Sequence, residues 1–237
     1  MLKMFTSLFI ISLSLFSYQS KTVFNHTNKK NIVLLITPRI KFNYKKDKIL
    51  RSVIRKLCNC KVKTAFYKYV NERMIKNISP FAIIIGGQNT PWKNYKEKKL
   101  LGIKNVILHS KIPILGICGG HQLIASAYNG EIGWVNDKYT NKKTYKNCKR
   151  LRGYIKLDIF LKDKIFNGIK ANSRFLTMHC EVVKKAPPDF TVLASYKGFI
   201  YTIKHNKKLT YGTQFHPEGS KAGWIILKNF IKMAKNR

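Results

Sequence analysis

Acidic residues are few in this chain. Its 237 residues hold 10 Asp and Glu against 46 Lys and Arg, a formal net charge of +36. Such a one-sided balance ordinarily points to nucleic acid or an anionic membrane as the partner. Arginine is scarce too, and that weakens the reading. Base recognition favours the planar guanidinium fork, whereas the excess here is mostly lysine. The lysines come with abundant Asn and Ile, residues of A/T-rich codons, so drift in composition accounts for the trend. There is no zinc-finger spacing and no RNP-type aromatic motif. No specific nucleic-acid partner is expected, although the charge should concentrate anions at the surface. No internal repeat is visible, which excludes a solenoid.

The apolar stretch at residues 5–16 is too short for a comfortable membrane span. It follows Lys3 and has the length of a signal-peptide h-region. Ser17 and Ser20 are small enough for a cleavage site, though no clean A-x-A occurs. Residues 1–24 are therefore expected to be a targeting segment that exports the protein or holds it at a membrane, ahead of a domain at residues 25–237. The alternative is a start that merely precedes the first core strand, in a cytoplasmic protein.

What is there is a pattern for chemistry. Residues 113–122 read PILGICGGHQ. An apolar, partly β-branched run ends in Cys118, two glycines follow, and then a helix-forming segment. Gly116-Ile117-Cys118-Gly119-Gly120 is the cysteine counterpart of the G-x-S-x-G nucleophile elbow. A sharp strand-to-helix turn needs small residues two positions either side of the nucleophile. The turn lifts the sulfur out of the sheet and sets it at a helix N-terminus, where the dipole favours negative charge. Taken alone, the cysteine could also be a buried structural one at a strand end.

A second motif, residues 211–218, reads YGTQFHPE. Pro217 disfavours helix at His216 and keeps the segment extended. A cysteine nucleophile needs a base, and the base needs an acceptor on its other ring nitrogen. Cys118, His216 and Glu218 supply one of each. In isolation, HPE would read as a surface turn.

Both motifs resemble those of class I (triad-type) glutamine amidotransferase domains, the free-standing members in particular, with the γ-glutamyl hydrolases as a related branch. The resemblance covers roughly residues 30–235. A third match is Ile83-Ile84-Ile85-Gly86-Gly87-Gln88, a strand running into a glycine turn that in the family supplies an oxyanion-hole N–H. A fourth, looser match is Thr177-Met178-His179, followed by PPDFTVLAS, similar to the stretch that helps to hold the substrate. The resemblance implies Cys118, His216 and Glu218 as the catalytic triad and the backbones of Gly87 and Gly119 as the oxyanion hole. It implies Gln122, Met178 and His179 on the substrate side, with a structural role as the equal alternative for His179. It calls for no metal and no organic cofactor. Departures fall around the pocket. Gln88-Asn89-Thr90 precede Pro91 where a proline often comes sooner, Gly119 stands where larger residues are frequent, and Cys180 and Glu181 follow His179 where Gly or an aromatic residue often sits.

The implied reaction is acyl transfer at a γ-glutamyl amide through a thioester on Cys118. An exported chain favours a plain hydrolase of glutamine or another small γ-glutamyl compound, because ammonia released outside the cell reaches no cytosolic acceptor. The alternative is a glutaminase subunit that delivers ammonia to a separate synthetase. A reading of another class is a non-catalytic binding or regulatory module.

The fold expected is α/β, three-layered, with a largely parallel sheet covered by helices on both faces and a flavodoxin-like order. Strands are expected at residues 32–36, 82–85, 114–117, 191–194 and 211–215. Helices are expected at 46–56, 95–110, 121–128 and 222–235, the first with Ile49, Val53, Ile54 and Leu57 on its core face. Residues 135–152 are polar, basic and aperiodic, and read as a loop or excursion near the pocket rim, disordered or mobile in part; docking of an acidic partner is the lesser alternative. His121 should point away from the cleft if Cys118 points into it, while His109 and His205 read as surface or loop residues. Cys58, Cys60, Cys148 and Cys180 could pair in an exported protein, with a connectivity that spacing does not reveal, or remain free thiols in a cytosolic one.

Overall fold

The computed structural model describes residues 30–139 and 142–237. The expected targeting segment, residues 1–24, lies outside them. Among the described residues, twelve strands follow one another: β1 (Lys30–Thr37), β2 (Lys61–Phe66), β3 (Pro80–Ile85), β4 (Ile114–Ile117), β5 (Glu131–Trp134), β6 (Leu151–Ile155), β7 (Asp158–Ile159), β8 (Phe175–His179), β9 (Glu181–Lys185), β10 (Phe190–Tyr196), β11 (Phe199–His205) and β12 (Thr210–Thr213). Five α-helices alternate with them: α1 (Lys48–Cys58), α2 (Glu72–Ile78), α3 (Glu97–His109), α4 (Gly119–Ala127) and α5 (Lys221–Lys235).

The main sheet runs β2-β1-β3-β4-β12-β11-β10-β7. Its first five strands are parallel, and the three beyond them are antiparallel. A branch, β5 on β9 on β11, widens it further, and β6 and β8 form a small separate sheet. The parallel strands are apolar throughout because both faces are covered. Val33 and Leu35 of β1, with Ala82 and Ile84 of β3, join a core that includes Leu50, Val53 and Ile54 of α1 and Ile226, Leu227 and Phe230 of α5. The alternate residues Leu34, Ile36, Ile83 and Ile85 face a second core with Ile75 of α2, Leu100, Ile103 and Ile107 of α3, and Leu123 and Ile124 of α4. This period-two division of one strand between two cores is what a three-layer α/β domain requires.

The face of α1 differs from expectation. Ile49 is 66% exposed, while Leu50 and Cys58 are buried with Val53 and Ile54. Val53 and Ile54 are buried and Leu57 packs partly buried against the same core as expected, but Leu50 and Cys58 complete the face in place of Ile49, and a 3-10 turn at Tyr44–Asp47 leads into the helix. His205 is likewise not a surface residue. It is 6% exposed at the end of β11, and its Nδ1 accepts the backbone N–H groups of Lys207 (3.0 Å) and Lys208 (3.3 Å). The cysteines pair as Cys58–Cys60 and Cys148–Cys180, leaving Cys118 free. Among the described residues, no helix is long and apolar enough to cross a membrane.

Candidate active site

The adjacency β3-β4-β12 brings three chain segments to one edge of the sheet. β3 is followed by Gly86-Gly87, β4 by Cys118, and β12 by residues 214–218. All three strands are parallel, so these are carboxyl ends, where open α/β sheets hold their sites.

The elbow is real backbone geometry. Cys118 has φ 51° and ψ −102°, a conformation that a side chain rarely adopts, and it caps α4. Its N–H donates to the Thr213 carbonyl at 2.7 Å, and its own carbonyl accepts from the N–H of Gln122 at 3.1 Å. A β-carbon at Gly116 would collide with the Gly120 carbonyl and with Ile124. The turn therefore closes only with glycine at that position.

Cys118 is buried, 4% exposed. On the adjacent segment, His216 turns its Nδ1 to Glu218 Oε1 at 2.9 Å. The His216 backbone is held by its N–H donating to the Leu176 carbonyl (2.8 Å), which fixes the motif against β8. Burial works against a charged imidazole at His216. The charge of Cys118, a hydrogen bond with it, and Glu218 outweigh that and hold His216 well above the usual histidine range. Gly87 lies beside both groups. A β-carbon there would sit 3.3 Å from His216 Cε1 and 3.6 Å from Cys118 Cβ. The N–H of Gly119, at the first position of α4, has no intrahelical acceptor by helix geometry. The expected triad and both expected oxyanion donors thus meet at one place.

The substrate-side residues separate. Gln122 is fully buried at the floor. Its Nε2 donates to the Glu181 carbonyl (2.6 Å) and to Gln214 Oε1 (3.1 Å), and its Oε1 accepts from Trp92 Nε1 (2.7 Å) and Gln88 Nε2 (2.9 Å). His179 is buried between Tyr201 Oη (2.8 Å from Nε2) and the Glu181 carbonyl (3.1 Å from Nδ1). Desolvation, helped by the charge of His216, pushes its pKa down to about 3. Met178, on the opposite face of β8, is 48% exposed. His121 is fully buried away from the cleft, packed over Gly212 with its pKa lowered by burial to about 3, in keeping with a packing role.

Four participants had no role assigned from sequence. Gln214 Nε2 donates to Cys118 Sγ at 3.7 Å, from within the YGTQFHPE motif itself. Gln88, in the glycine turn, bridges Gln122 and Tyr145. Glu181, which the sequence marks only as a departure from the family pattern, is 5% exposed. Burial raises its pKa against the hydrogen bonds it accepts from Tyr145 and the Trp92 N–H. Tyr145 lies in an aperiodic loop and carries no sequence signal at all. Among the described residues, no group of three or more His, Cys, Asp or Glu could hold a metal ion.

Comparison with known proteins agrees with this geometry. Residues 44–233 match the family model for glutamine amidotransferase class-I. The A subunit of a glutamine-hydrolyzing GMP synthase from Methanococcus maripaludis is 38% identical over 140 residues, 56% of this chain and 66% of that protein, a little under two thirds of its length. The A subunit of the same name from Methanosphaera stadtmanae is 34% identical over 165 residues, 68% of this chain and 79% of that protein. Among solved structures, a candidate GMP synthase A subunit from Thermoplasma acidophilum superposes with a TM-score of 0.70 at 21% identity, over 89% of this chain and 96% of that one, a likeness of fold. With the family model spanning most of its length, the chain belongs to the glutamine amidotransferase class-I family.

Proposed function

We propose that this chain hydrolyses the side-chain amide of glutamine at Cys118 and passes the ammonia to a separate synthetase. The observation that carries the reading is the meeting of Cys118, His216 and Glu218 at the ends of adjacent strands, in a chain of this family. Cys118 Sγ attacks the amide carbon. The oxyanion forms against the N–H groups of Gly87 and Gly119, and such donors are worth about 2.7–4 kcal/mol each to the transition state. His216, charged and oriented by Glu218, gives its proton to the leaving nitrogen, which departs as ammonia. Water, deprotonated by His216, then hydrolyses the thioester to glutamate. Glu218 holds the ring and offsets its charge without taking the proton.

The names of these relatives favour a glutaminase that works with a synthetase of the GMP synthase type over a plain γ-glutamyl hydrolase. The preference for the hydrolase rested on an exported chain, and the segment behind that idea lies outside the described residues. A panel of glutamine and γ-glutamyl peptides, offered to the purified protein with release of ammonia or amine measured, tests the reading. Glutamine should be turned over well ahead of the peptides; the reverse order would return the hydrolase reading to first place.

A further inference from the structure

Residues 142–150 have no regular secondary structure, yet they are pinned against the site. The Lys143 carbonyl accepts from Asn94 Nδ2 at 2.7 Å. Tyr139 Oη lies 2.8 Å from the Thr144 carbonyl and 2.5 Å from that of Lys146, and the Trp134 ring packs on both Tyr139 and Tyr145, with centroids 4.6 and 5.7 Å away. The covalent tie is the Cys148–Cys180 disulfide, which closes across 32 residues onto the position just before Glu181.

That tie puts the Tyr145 hydroxyl where it matters. It donates to Glu181 Oε2 at 2.6 Å and accepts from Gln88 Nε2 at 3.0 Å. Gln88 in turn donates to Gln122, Gln122 to Gln214, and Gln214 to the sulfur of Cys118. The Gln88 amide also fills the space in which a side chain at position 119 would stand, since a β-carbon on Gly119 would collide with Gln88 Oε1. The Oε1 atom is buried and accepts no hydrogen bond. Among the described residues, the Tyr145 and Gln122 contacts of Nε2, with Glu181 alongside, hold this amide beside the oxyanion turn. Tyr145 makes no hydrogen bond to Cys118, His216 or Glu218; it touches the groups around them.

We propose that Tyr145 is a positioning residue for the glutamine-binding side of the site, and that the Cys148–Cys180 disulfide holds it there, so that glutamine affinity depends on the redox state of this strap. The inference rests on the glutaminase reading above. A dithiol reductant opens the strap in two steps. Its thiolate attacks one sulfur and forms a mixed disulfide, and its second thiol then displaces the protein sulfur. Two electrons and two protons pass to Cys148 and Cys180, which end as thiols, while the reductant ends as a disulfide. With the loop released, Glu181 loses its shortest donor and Gln88 loses its outer anchor.

The test uses the full chain and a glutamine-derived chloroketone, with KI and kinact for alkylation of Cys118 measured separately. The oxidised protein is compared with the dithiol-treated protein, with Tyr145→Phe and with Cys148→Ser. Cys58→Ser serves as a control that removes the other disulfide. Tyr145→Phe keeps the strap and the ring packing and deletes only the hydroxyl; Cys148→Ser does the opposite. Reduction and both variants should each raise KI about tenfold, the loss expected for one hydrogen bond to a charged group, with kinact changed less than about twofold. Cys58→Ser should respond to the dithiol as the parent does, and reoxidation should restore the parent value. Tyr145→Phe combined with Cys148→Ser should be no worse than Tyr145→Phe alone, because both act through one hydroxyl. A KI indifferent to reduction and to Tyr145→Phe, with Cys118 still labelled, overturns the strap and leaves the glutaminase reading intact, and so does a merely lowered melting temperature at constant KI. No labelling of Cys118 in the oxidised protein overturns both.

Discussion

The side-chain amide of Gln214 donates to the sulfur of Cys118 across 3.7 Å, from the segment after β12 to the elbow after β4. Both residues are buried, and Gln214 is itself fixed by Gln122 Nε2 (3.1 Å) and by its own N–H on the Tyr201 carbonyl (2.8 Å). The sulfur of Cys118 is thus contacted by a side chain that is itself fixed. A glutamine-derived chloroketone should label the chain once, at Cys118, as read by peptide mapping. Gln214→Leu should slow that labelling and cost roughly 1–3 kcal/mol of stability, because it leaves a donor of buried Gln122 unmatched. Labelling mainly at Cys58, Cys60, Cys148 or Cys180 would remove Cys118 from the proposal.

Glu218 Oε1 lies 2.9 Å from His216 Nδ1, and its proposed role is to orient the ring. Glu218→Gln preserves the shape but not the charge that supports an imidazolium. Turnover of glutamine should fall by roughly 10²–10⁴-fold, the range for losing an orienting carboxylate behind a base. Alkylation of Cys118 should persist. Turnover equal to the parent protein's would mean that a backbone group or water orients the ring instead.

Two buried histidines make the fold sensitive to acid. Burial lowers His121 and His179 from the ordinary 6.5 to about 3. Between those values the unfolded chain binds protons that the native chain refuses, so stability falls as pH drops through this window and levels out below it. Each histidine contributes about 1.4 kcal/mol per pH unit. His216 has the opposite sign, since its value is raised; its contribution is full below 6.5 and fades as pH climbs through the raised value. Denaturant midpoints at pH 7 and pH 5 measure the difference. His179→Gln should lose about 2 kcal/mol less than the parent protein over that interval. Equal acid losses in both would show that His179 is not neutral in the fold.

We propose that the folded unit lies within residues 25–237 and that residues 1–24 are a separate targeting segment. Among the described residues, β1 begins at Lys30 and pairs with both β2 and β3. A chain lacking residues 1–24 should be soluble, melt cooperatively and label at Cys118. Insolubility, or loss of the cooperative melt, would make the segment part of the fold and end the targeting idea.

Much of the site was legible because its chemistry is written in short local patterns. The turn at Cys118 demands glycine at 116, where a β-carbon would strike the Gly120 carbonyl of the same turn, and Pro217 keeps His216 extended beside Glu218. The parallel strands β1, β3 and β4 were equally plain, since burial on both faces leaves uninterrupted apolar runs. The phase of α1 was not, because the periodicity admits Ile49 and Leu50 alike, and the choice depends on which face the preceding 3-10 turn delivers to the sheet. β2 was missed because its lysines interrupt the apolar pattern at an edge strand. His205 read as a loop residue because nothing local announces the hairpin that buries it.

The sequence by itself determined the glycine-flanked turn at Cys118, the closeness of His216 and Glu218, the glycine turn after β3 and the alternation of strands and helices, all of which follow from the backbone demands of neighbouring residues. Tertiary structure alone decided what meets what. The order β3-β4-β12 carries Gly87, Cys118 and His216 to one place from far apart in the chain. The Cys148–Cys180 bond draws an aperiodic loop across 32 residues so that Tyr145 reaches Glu181 and Gln88. Those pairings depend on strand order and chain closure, which are properties of the packed whole, and a loop tyrosine with no periodicity around it carries no local trace of them.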